Sequence, residues 1–425
     1  MTCFYDDLFE YVSTLEIIDT HEHLPYCEDA RIKNTDILAE YLTHYFNRDL
    51  ISAGLPQKDY QRVIDTGLPL MERWDLAEPY WAFARHTGYG RALDLSVEKL
   101  YGIKKICRST IEELNQQFTD TLKQPGHFKK VLKDASRIKI SVLDSNLACD
   151  RYFFRSVYLI DKLISPKYMA DIEHIENEAD VKISSFDDWL EACEIIINKA
   201  VQLNAVALKC GLAYERSLKF DRVSKSDAED GFNEMFKAFH LPFWTLNPIA
   251  VSVKFQDYMM HFIMRIANKQ NLVVQIHTGL QEGNGNIIYY SDPSLLTNLF
   301  LEYKDVSFDI FHIGYPYQQV LSALAKVFPN VYIDMCWAHI ISPAASVNAL
   351  AEWIDAVPAN KISAFGGDYS FIDAVYGHQL LARINVSRAL AKKIEDGCFC
   401  LDEAKHMAKM LFYDNPVRIL RLSDI

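Results

Sequence analysis

The feature that most constrains the fold is a regular alternation of short apolar runs with long stretches of helical spacing. Eight of these runs predict β-strands: Glu16–Asp19, Ile138–Leu143, Phe153–Ile160, Ala205–Cys210, Leu272–His277, Val306–His312, Val331–Met335 and Ile362–Phe365. Strands that alternate with helices pair in parallel, and eight such units close into a barrel with the helices outside. Because 50% of the 425 residues are hydrophobic, the chain can bury the core that such a barrel requires. We therefore predict an α/β fold, a distorted (β/α)₈ TIM barrel.

A helical insertion is predicted between the first and second strands, over about 24–136. Apolar and aromatic positions there recur at intervals of three and four, the spacing of a buried helix face: Leu38, Tyr41, Leu42, Tyr45 and Phe46. A second helical excursion spans Lys219–Arg265, and the chain from Ile372 onward is also predicted to be helical. No repeat, low-complexity tract or flexible linker divides the sequence. We predict a single domain over residues 1–425, with the insertion covering one mouth of the barrel.

Charge and cysteine usage exclude several classes of partner. The 57 acidic against 44 basic residues give a net charge of −13, which argues against nucleic acid or an anionic lipid surface as the main partner. Acidic residues interrupt the apolar residues of the first sixteen positions, so we expect neither a signal peptide nor a membrane span. The nine cysteines show no CxxC pair, which is typical of reduced thiols in a cytoplasmic protein. The expected partner is a small molecule.

The strongest local signal closes the first strand, in the run Ile17-Ile18-Asp19-Thr20-His21-Glu22-His23. Residues two apart in an extended chain face the same side, so His21 and His23 would direct both imidazoles into one cavity. Glu22 would point away from them, into a supporting role. Two neutral imidazoles at this spacing suit zinc, iron or manganese. A lone HxH pattern is weak evidence, and other strands have to support it.

Three later strands each lead to a further candidate metal ligand. Apolar runs end in His277 and His312, and the last run passes through Gly366-Gly367 to Asp368. Taken singly, a buried histidine more often bonds a neighbouring backbone group, and Asp368 could be a helix N-cap. The carboxyl ends of all barrel strands share one rim, however, so these side chains would converge with the histidine pair. Their joint occurrence predicts a metal site.

This order of residues resembles the amidohydrolase superfamily, in particular its amidohydrolase-related group. The pattern is an HxH at strand one, a lysine near strand four, histidines at strands five and six, and an aspartate at strand eight. More narrowly, Gln275–Gly279 and Phe311–Pro316 resemble the amidohydrolase domain of nodulin-like proteins, which is fused elsewhere to a glutamine-synthetase-like domain. Within the insertion, Leu42–Arg48 and Leu100–Ile103 are similar to uronate isomerases, another branch of the superfamily.

The resemblance implies a set of roles for these residues. His21, His23, His277 and Asp368 would bind a divalent ion, and His312 would lie within reach of the substrate or of a second metal. Zinc is the expected metal, as one or two ions, with Mn²⁺ and Fe²⁺ as alternatives. Such an ion lowers the pKa of bound water from about 15.7 towards ~7. Asp368 would then take the proton of that water and return it to the leaving group.

Lys209 ends the fourth strand and has three alternative roles. A carboxylated lysine often bridges the two ions of superfamily enzymes, whereas an unmodified ammonium could bind a substrate carboxylate or pair with Asp334 across the barrel. Arg216 lies just beyond this strand, where its guanidinium could orient an acidic substrate or form a solvent-exposed ion pair.

His44 and Arg48 lie four residues apart, which places both on one face of a helix. The similarity to uronate isomerases gives them a role in substrate binding, and a surface pair without function is the alternative.

From these residues we predict a metal-dependent hydrolase whose activated water attacks a C–N or C–O bond of a small, polar, acidic substrate. A uronate-isomerase-like aldose–ketose isomerase and a metal-dependent ring-carboxylate decarboxylase are the alternative enzymes, because the same rim of ligands can serve all three reactions. A metabolite sensor without turnover is the non-enzymatic alternative. The oligomeric state stays open, although helical insertions on barrels commonly supply the contact surface of a homo-oligomer.

Overall fold

Eight parallel strands form one sheet in the described part of the chain. The computed structural model describes residues 3–144, 147–237 and 249–422. The strands pair in sequence order: β1 Ile17–Glu22, β2 Ile138–Leu143, β3 Phe154–Leu159, β4 Ala205–Cys210, β5 Val273–Ile276, β6 Ser307–Ile310, β7 Val331–Asp334 and β8 Ile362–Ser363. All eight coincide with the predicted apolar runs, and most differ from them by a few terminal residues.

The sheet closes into a nearly complete barrel because the chain after β8 lies against β1. The backbone N–H of Thr20 donates to the carbonyl of Phe365 at 3.1 Å, and that of Asp368 donates to the carbonyl of His21 at 2.8 Å. This second contact explains why β1 continues to Glu22, three residues beyond the predicted end. The predicted (β/α)₈ barrel is therefore confirmed.

Helices surround the strands. They are α1 Cys3–Thr14 before β1; α2 Ile37–Tyr41, α3 His44–Ser52, α4 Gln57–Val63, α5 Leu70–Ala84, α6 Gly88–Tyr101 and α7 Ile111–Thr121 before β2; α8 Asp161–Ile164, α9 Met169–Ala179 and α10 Phe186–Gln202 before β4; α11 Lys225–Lys237 and α12 Val253–Lys269 before β5; α13 Thr297–Glu302; α14 Gln318–Val327; α15 Ala338–Ile341 and α16 Pro343–Ala356 before β8; and α17 Ile372–Glu395, α18 Leu401–Lys409 and α19 Asn415–Ile419. Part of the excursion predicted over Lys219–Arg265, residues 238–248, lies outside the described residues. No helix in the described ranges is long and apolar enough to cross a lipid bilayer.

Two apolar layers fill the molecule. The inward-facing side chains at the amino ends of the strands form a small cluster that α19 covers: Ile18, Ile140, Val142, Val157, Ala207, Val273, Ile419 and Leu420. The larger core lies between the strands and the surrounding helices. Because the amino end of the barrel is packed and covered in this way, the carboxyl ends of the strands are the end that carries polar side chains.

The 24-residue helix α17 joins the insertion to the barrel. It packs closely on α6 at Gly377, where an added Cβ would lie 1.8 Å from the carbonyl oxygen of Ala92. In its first turn, Asp373 accepts hydrogen bonds from the phenols of Tyr41 at 2.8 Å and Tyr101 at 2.5 Å. The insertion is therefore held against α17, the helix that follows Asp368 in the chain.

Candidate active site

A cavity of about 440 Å³ opens at the carboxyl ends of the strands. Six of the side chains predicted from the sequence line it: His21, His23, His44, Lys209, His277 and Asp368. Nine further lining residues were not predicted as site residues: Tyr45, Asp144, Leu159, Asp161, Lys167, Gly211, Tyr214, Glu215 and Glu282. The rim of the barrel thus brings together residues from both ends of the sequence.

His21, His23 and Asp368 form a compact group of candidate ligands. The Nε2 atom of His21 lies 3.6 Å from Asp368 Oδ1, and Nε2 of His23 lies 3.1 Å from the same oxygen. One ligand atom of each residue lies within 4.8 Å of the other two. Burial alone would raise the pKa of Asp368, but the hydrogen bond from His23 and the charges of the neighbouring imidazoles hold it well below its usual range. Asp368 is therefore a carboxylate at neutral pH.

The backbone around Asp368 is fixed by two acidic side chains of β1. Asp19 Oδ1 accepts the N–H of Gly367 at 2.9 Å, and Glu22 Oε2 accepts the N–H of Tyr369 at 2.7 Å. A Cβ on Gly367 would lie 1.8 Å from Glu22 Oε1, so the approach requires glycine. Glu22 supports the site from behind, on the side away from the two histidines.

Tyr45 is a site residue that the sequence analysis assigned only to the helical core. Its hydroxyl donates to Asp368 Oδ2 at 2.6 Å, and its ring stacks on Trp337 at a centroid distance of 4.5 Å. Burial and the charge of Asp368 raise the pKa of Tyr45 well above its usual value, so the hydroxyl keeps its proton. The aromatic spacing in α3 gave no sign that one of its rings reaches the cavity.

His277 and His312 face each other through nitrogen atoms that both carry lone pairs. The network assigns the ring protons: His277 Nε2 donates to the carbonyl of Leu280 at 2.9 Å, and His312 Nδ1 donates to that of Cys336 at 3.0 Å. His277 Nδ1 and His312 Nε2 then lie 2.9 Å apart. Burial lowers the pKa of His312 to about 4 and that of His277 well below its usual value, so no proton is expected between them at neutral pH.

The residues present fit a divalent ion. Imidazole nitrogens and a carboxylate oxygen are the ligands that zinc, iron and manganese share, and the facing lone pairs of the histidines favour a cation beside them. Burial lowers the pKa of His21 to about 3, so its ring is in the neutral form that binds metal. His21, His23 and Asp368 would hold the ion. His277 was predicted to join them, and the structure places it next to His312 at the edge of this group.

Lys209 lines the cavity. Its Nζ lies 3.4 Å from the carbonyl oxygen of Cys210 and 5.4 Å from the centre of the Phe311 ring. Among the described residues, no ion pair within 4.0 Å joins Lys209 to Asp334, which instead accepts the N–H of Cys336 at 2.7 Å. The pairing across the barrel that the sequence allowed is therefore not formed.

The three residues predicted to bind substrate lie in different places. His44 is in the cavity wall, and burial lowers its pKa to about 3. Arg48 Nε donates to Glu282 Oε1 at 2.8 Å, at the rim.

Arg216, the third residue predicted to bind substrate, makes its contacts within the fold instead. Its guanidinium donates at 2.6 Å to Asp257 and at 2.9 Å to Gln256 of α12, and it lies over the ring of Phe220. Its charge is used within the fold, and we do not place it among the substrate-binding residues.

Two carboxylates of the cavity could have been found by the rule that identified the histidines. Asp144 directly follows β2, and its Oδ2 lies 3.7 Å from His23 Nδ1. Asp161 follows β3 and accepts the N–H of Gly211 with both oxygens, at 2.9 and 3.1 Å. Burial raises the pKa of Asp161 to about 7. Lys167, in contrast, comes from a loop and carried no sequence signal.

Sequence comparisons relate parts of this chain to known proteins. The model of the amidohydrolase family matches residues 249–422. Protein fluG of Emericella nidulans is 26% identical over 155 residues, which cover 36% of this chain and 18% of that protein. A uronate isomerase of Caldanaerobacter subterraneus is 22% identical over 298 residues, which cover 66% of this chain and 62% of that enzyme. The chain thus aligns with less than two thirds of either relative.

A solved structure resembles the whole fold. The uronate isomerase of Thermotoga maritima superposes with a TM-score of 0.80 at 16% identity, over 99% of this chain and 98% of that one. At this identity the likeness establishes the fold. Together with the family match, it confirms the resemblance to the amidohydrolase superfamily that the motifs indicated.

Proposed function

We propose that this protein is a metal-dependent isomerase that interconverts the aldose and ketose forms of a small sugar acid. The observation that carries the proposal is the similarity to uronate isomerases, which extends over the helical insertion and the C-terminal helices as well as the barrel. The hydrolysis predicted from the strand motifs becomes the second candidate. The three metal ligands His21, His23 and Asp368 serve either reaction.

The proposed reaction moves one proton between adjacent carbons and one between their oxygens, so no atom leaves the substrate. A divalent ion at the His21, His23 and Asp368 group would polarise the carbonyl and hydroxyl oxygens and so acidify the carbon-bound proton. Asp161 would accept that proton and return it to the neighbouring carbon. A base works best when its pKa is near the working pH, and burial raises the pKa of Asp161 to about 7.

The cavity also offers groups for the polar ends of such a substrate. In the described part of the chain, Lys209 has no carboxylate partner within 4.0 Å, so its ammonium is available to a substrate carboxylate. Lys167, in contrast, pairs with Glu215 at 2.6 Å. The hydroxyl of Tyr45 donates to Asp368 Oδ2 at 2.6 Å, and its oxygen can accept a hydrogen bond from a substrate hydroxyl bound beside that carboxylate. We assign Lys209 to the acid group of the substrate and Tyr45 to its reacting end.

The test is to incubate the metal-loaded protein with glucuronate or galacturonate and follow the formation of a keto sugar. We expect conversion by the wild type and loss of at least about 100-fold in the His21→Ala variant, because a metal ligand is removed. His174→Ala, an exposed histidine on α9, is the matched control. Absence of any keto product from the metal-loaded wild type with both sugars would overturn the isomerase proposal.

A metal-dependent hydrolase is the second candidate, and the match of residues 249–422 to the amidohydrolase family favours it. In that reaction, Asp368 would take a proton from the attacking water and deliver it to the leaving group. His312 would lie beside the carbonyl under attack. Release of acid or amine from a panel of amides, lactams, lactones and esters, without keto-sugar formation, identifies this function.

A further inference from the structure

A second group of candidate metal ligands adjoins the first, and two of its three members are not used by the proposed isomerase reaction. One ligand atom from each of His312, Cys336 and Asp368 lies within 4.8 Å of the other two. All three residues are at most 5% exposed. Asp368 belongs to both groups, whereas Cys336 follows β7 and had no assigned role. The Cys336 sulfur is a kind of ligand atom that the first group lacks.

Hydrogen bonds fix the backbone of Cys336 and connect it to the ring of His312. Its N–H is held by Asp334 Oδ1 at 2.7 Å, and its carbonyl accepts the Nδ1–H of His312 at 3.0 Å. The second contact turns the His312 ring so that Nε2 faces Asp368 Oδ2, at 4.0 Å. The sulfur also lies close to Gly366, where an added Cβ would be 2.8 Å from Sγ. The cysteine and the histidine are thus fixed in place together.

Asp368 has one oxygen for each group. Oδ1 faces His21 and His23 at 3.6 and 3.1 Å, and Oδ2 faces His312. A carboxylate with this disposition can bridge two ions, which in two-metal enzymes lie about 3.5–4 Å apart. Bound ligands at about 2.0–2.3 Å from zinc are roughly 3.3–3.8 Å from each other, so shifts of about 1 Å would close the second group around an ion.

The kinds of ligand atom indicate the kind of ion. His312 Nε2 lies 4.0 Å from Asp368 Oδ2 and 2.9 Å from His277 Nδ1, so imidazole nitrogen and carboxylate oxygen atoms meet beside the sulfur. Nitrogen, sulfur and oxygen donors together are typical of zinc sites, whereas magnesium and calcium prefer oxygen alone.

We propose that His312, Cys336 and Asp368 form a second metal site, in which the Cys336 thiolate binds a zinc-like ion next to the first. On binding, the S–H proton is released to solvent as the sulfur–metal bond forms. Sulfur then takes the place of a carboxylated lysine, and Lys209 remains an ammonium. The inference rests on the metal-binding part of the proposed function and is independent of which reaction the site catalyses.

The test uses cobalt(II), because a thiolate ligand gives it a near-ultraviolet charge-transfer band that nitrogen and oxygen ligands do not. The exposed Cys398 and Cys400 are first replaced by serine, which removes the two most exposed thiols among the described residues. In this background we compare the parent with Cys336→Ala and with Cys193→Ala, a control that removes an equally buried thiol from α10. Elemental analysis counts the bound ions.

We expect the band in the parent and in Cys193→Ala, and in Cys336→Ala the loss of the band and of one ion per chain. Cobalt bound by the parent without the band, or a band that persists in Cys336→Ala, overturns the second site but leaves the first intact. If the parent binds no cobalt at all, the proposed function fails with it. The spectrum of the parent decides the question even where Cys336→Ala does not fold.

Discussion

Asp368 adopts a left-handed backbone conformation, with φ of 60°, at the point where the chain passes closest to β1. Non-glycine residues are uncommon there, and such strain persists only where surrounding contacts enforce it. Those contacts are the acceptors Asp19 and Glu22 on the two flanking N–H groups and the Tyr45 hydroxyl, which lies 2.6 Å from the carbonyl oxygen of Asp368. The position of this candidate metal-binding carboxylate therefore depends on Asp19, Glu22 and Tyr45, which are not themselves in the candidate ligand group.

Gly367→Ala tests this dependence. The new Cβ would lie 1.8 Å from Glu22 Oε1, and Glu22 cannot turn away without releasing the N–H of Tyr369. We expect Asp368 to be displaced and zinc affinity to fall by about 10–100-fold, as when other residues that orient metal ligands are changed. Isothermal titration with Zn²⁺ measures this loss. Gly397→Ala, with nothing within 4 Å of its Cβ, should retain wild-type affinity, and equal affinities in the two variants would contradict the argument.

Asp161 gives a prediction about pH. Burial disfavours its charged form and raises its pKa to about 7, so the carboxylate that accepts a proton becomes populated as the pH rises through this value. We expect kcat/KM for the sugar acid to rise over about pH 6–8 in the wild type. In Asp161→Asn, activity should fall by about 100-fold or more and this rise should be absent. Glu194→Gln is the control, because it removes only an exposed ion pair between α10 and Lys269 of α12. An unchanged pH profile in Asp161→Asn would exclude Asp161 as the base.

At the scale of elements, the strands were predictable and the contacts between distant elements were not. Short apolar runs identify buried parallel strands, and the polar residue that ends each run identifies the rim, as for His277 and Asp161. Arg216 also follows a strand, but its direction depends on the acceptors of α12, which nothing local encodes. Tyr45 was missed for the opposite reason: it was assigned to the core and lines the cavity. Helical periodicity does not distinguish a core ring from one that reaches the cavity.

The junction between the insertion and α17 gives a prediction about stability. Asp373 is 1% exposed and accepts hydrogen bonds from Tyr41, Tyr101 and His127. Although burial acts to raise its pKa, the charge and hydrogen bond of His127 lower it far below the usual value. Asp373→Asn should reduce the free energy of unfolding at pH 7 by about 3 kcal/mol, because buried polar partners lose their acceptor.

The pH dependence follows from the same shift. A carboxyl whose folded pKa lies below its unfolded pKa of about 3.9 stabilises the fold above that pH and ceases to do so as the pH falls towards the folded value. Urea unfolding should therefore show the difference between wild type and Asp373→Asn shrinking below about pH 4. Asp187→Asn, which removes an exposed pair with Lys225, should change stability by less than about 1 kcal/mol. A constant difference down to pH 2 would contradict the assignment to Asp373.

At the scale of the whole molecule, the candidate metal ligands come from the first strand of the barrel and the end of the last. His21 and His23 belong to β1 and its end, and Asp368 follows β8, so Asp368 lies 347 and 345 residues from the two histidines in sequence. The seam between these strands is also where the sheet is closed by a few backbone hydrogen bonds. An ion bound there would stabilise the closed barrel in addition to any role in catalysis, because the unfolded chain does not present the same ligands.

Zinc should therefore raise the thermal unfolding midpoint. Free ion at about 100 times its Kd adds about 2.7 kcal/mol to the stability of the folded state, which for a chain of this size is an increase of a few degrees. Differential scanning calorimetry of the chelator-treated protein, with and without added Zn²⁺, measures the shift. It should disappear in His21→Ala and persist in His174→Ala, whose imidazole lies on the exposed face of α9 beside Glu178. A midpoint that does not respond to zinc in the wild type would show that no ion joins the two ends of the barrel.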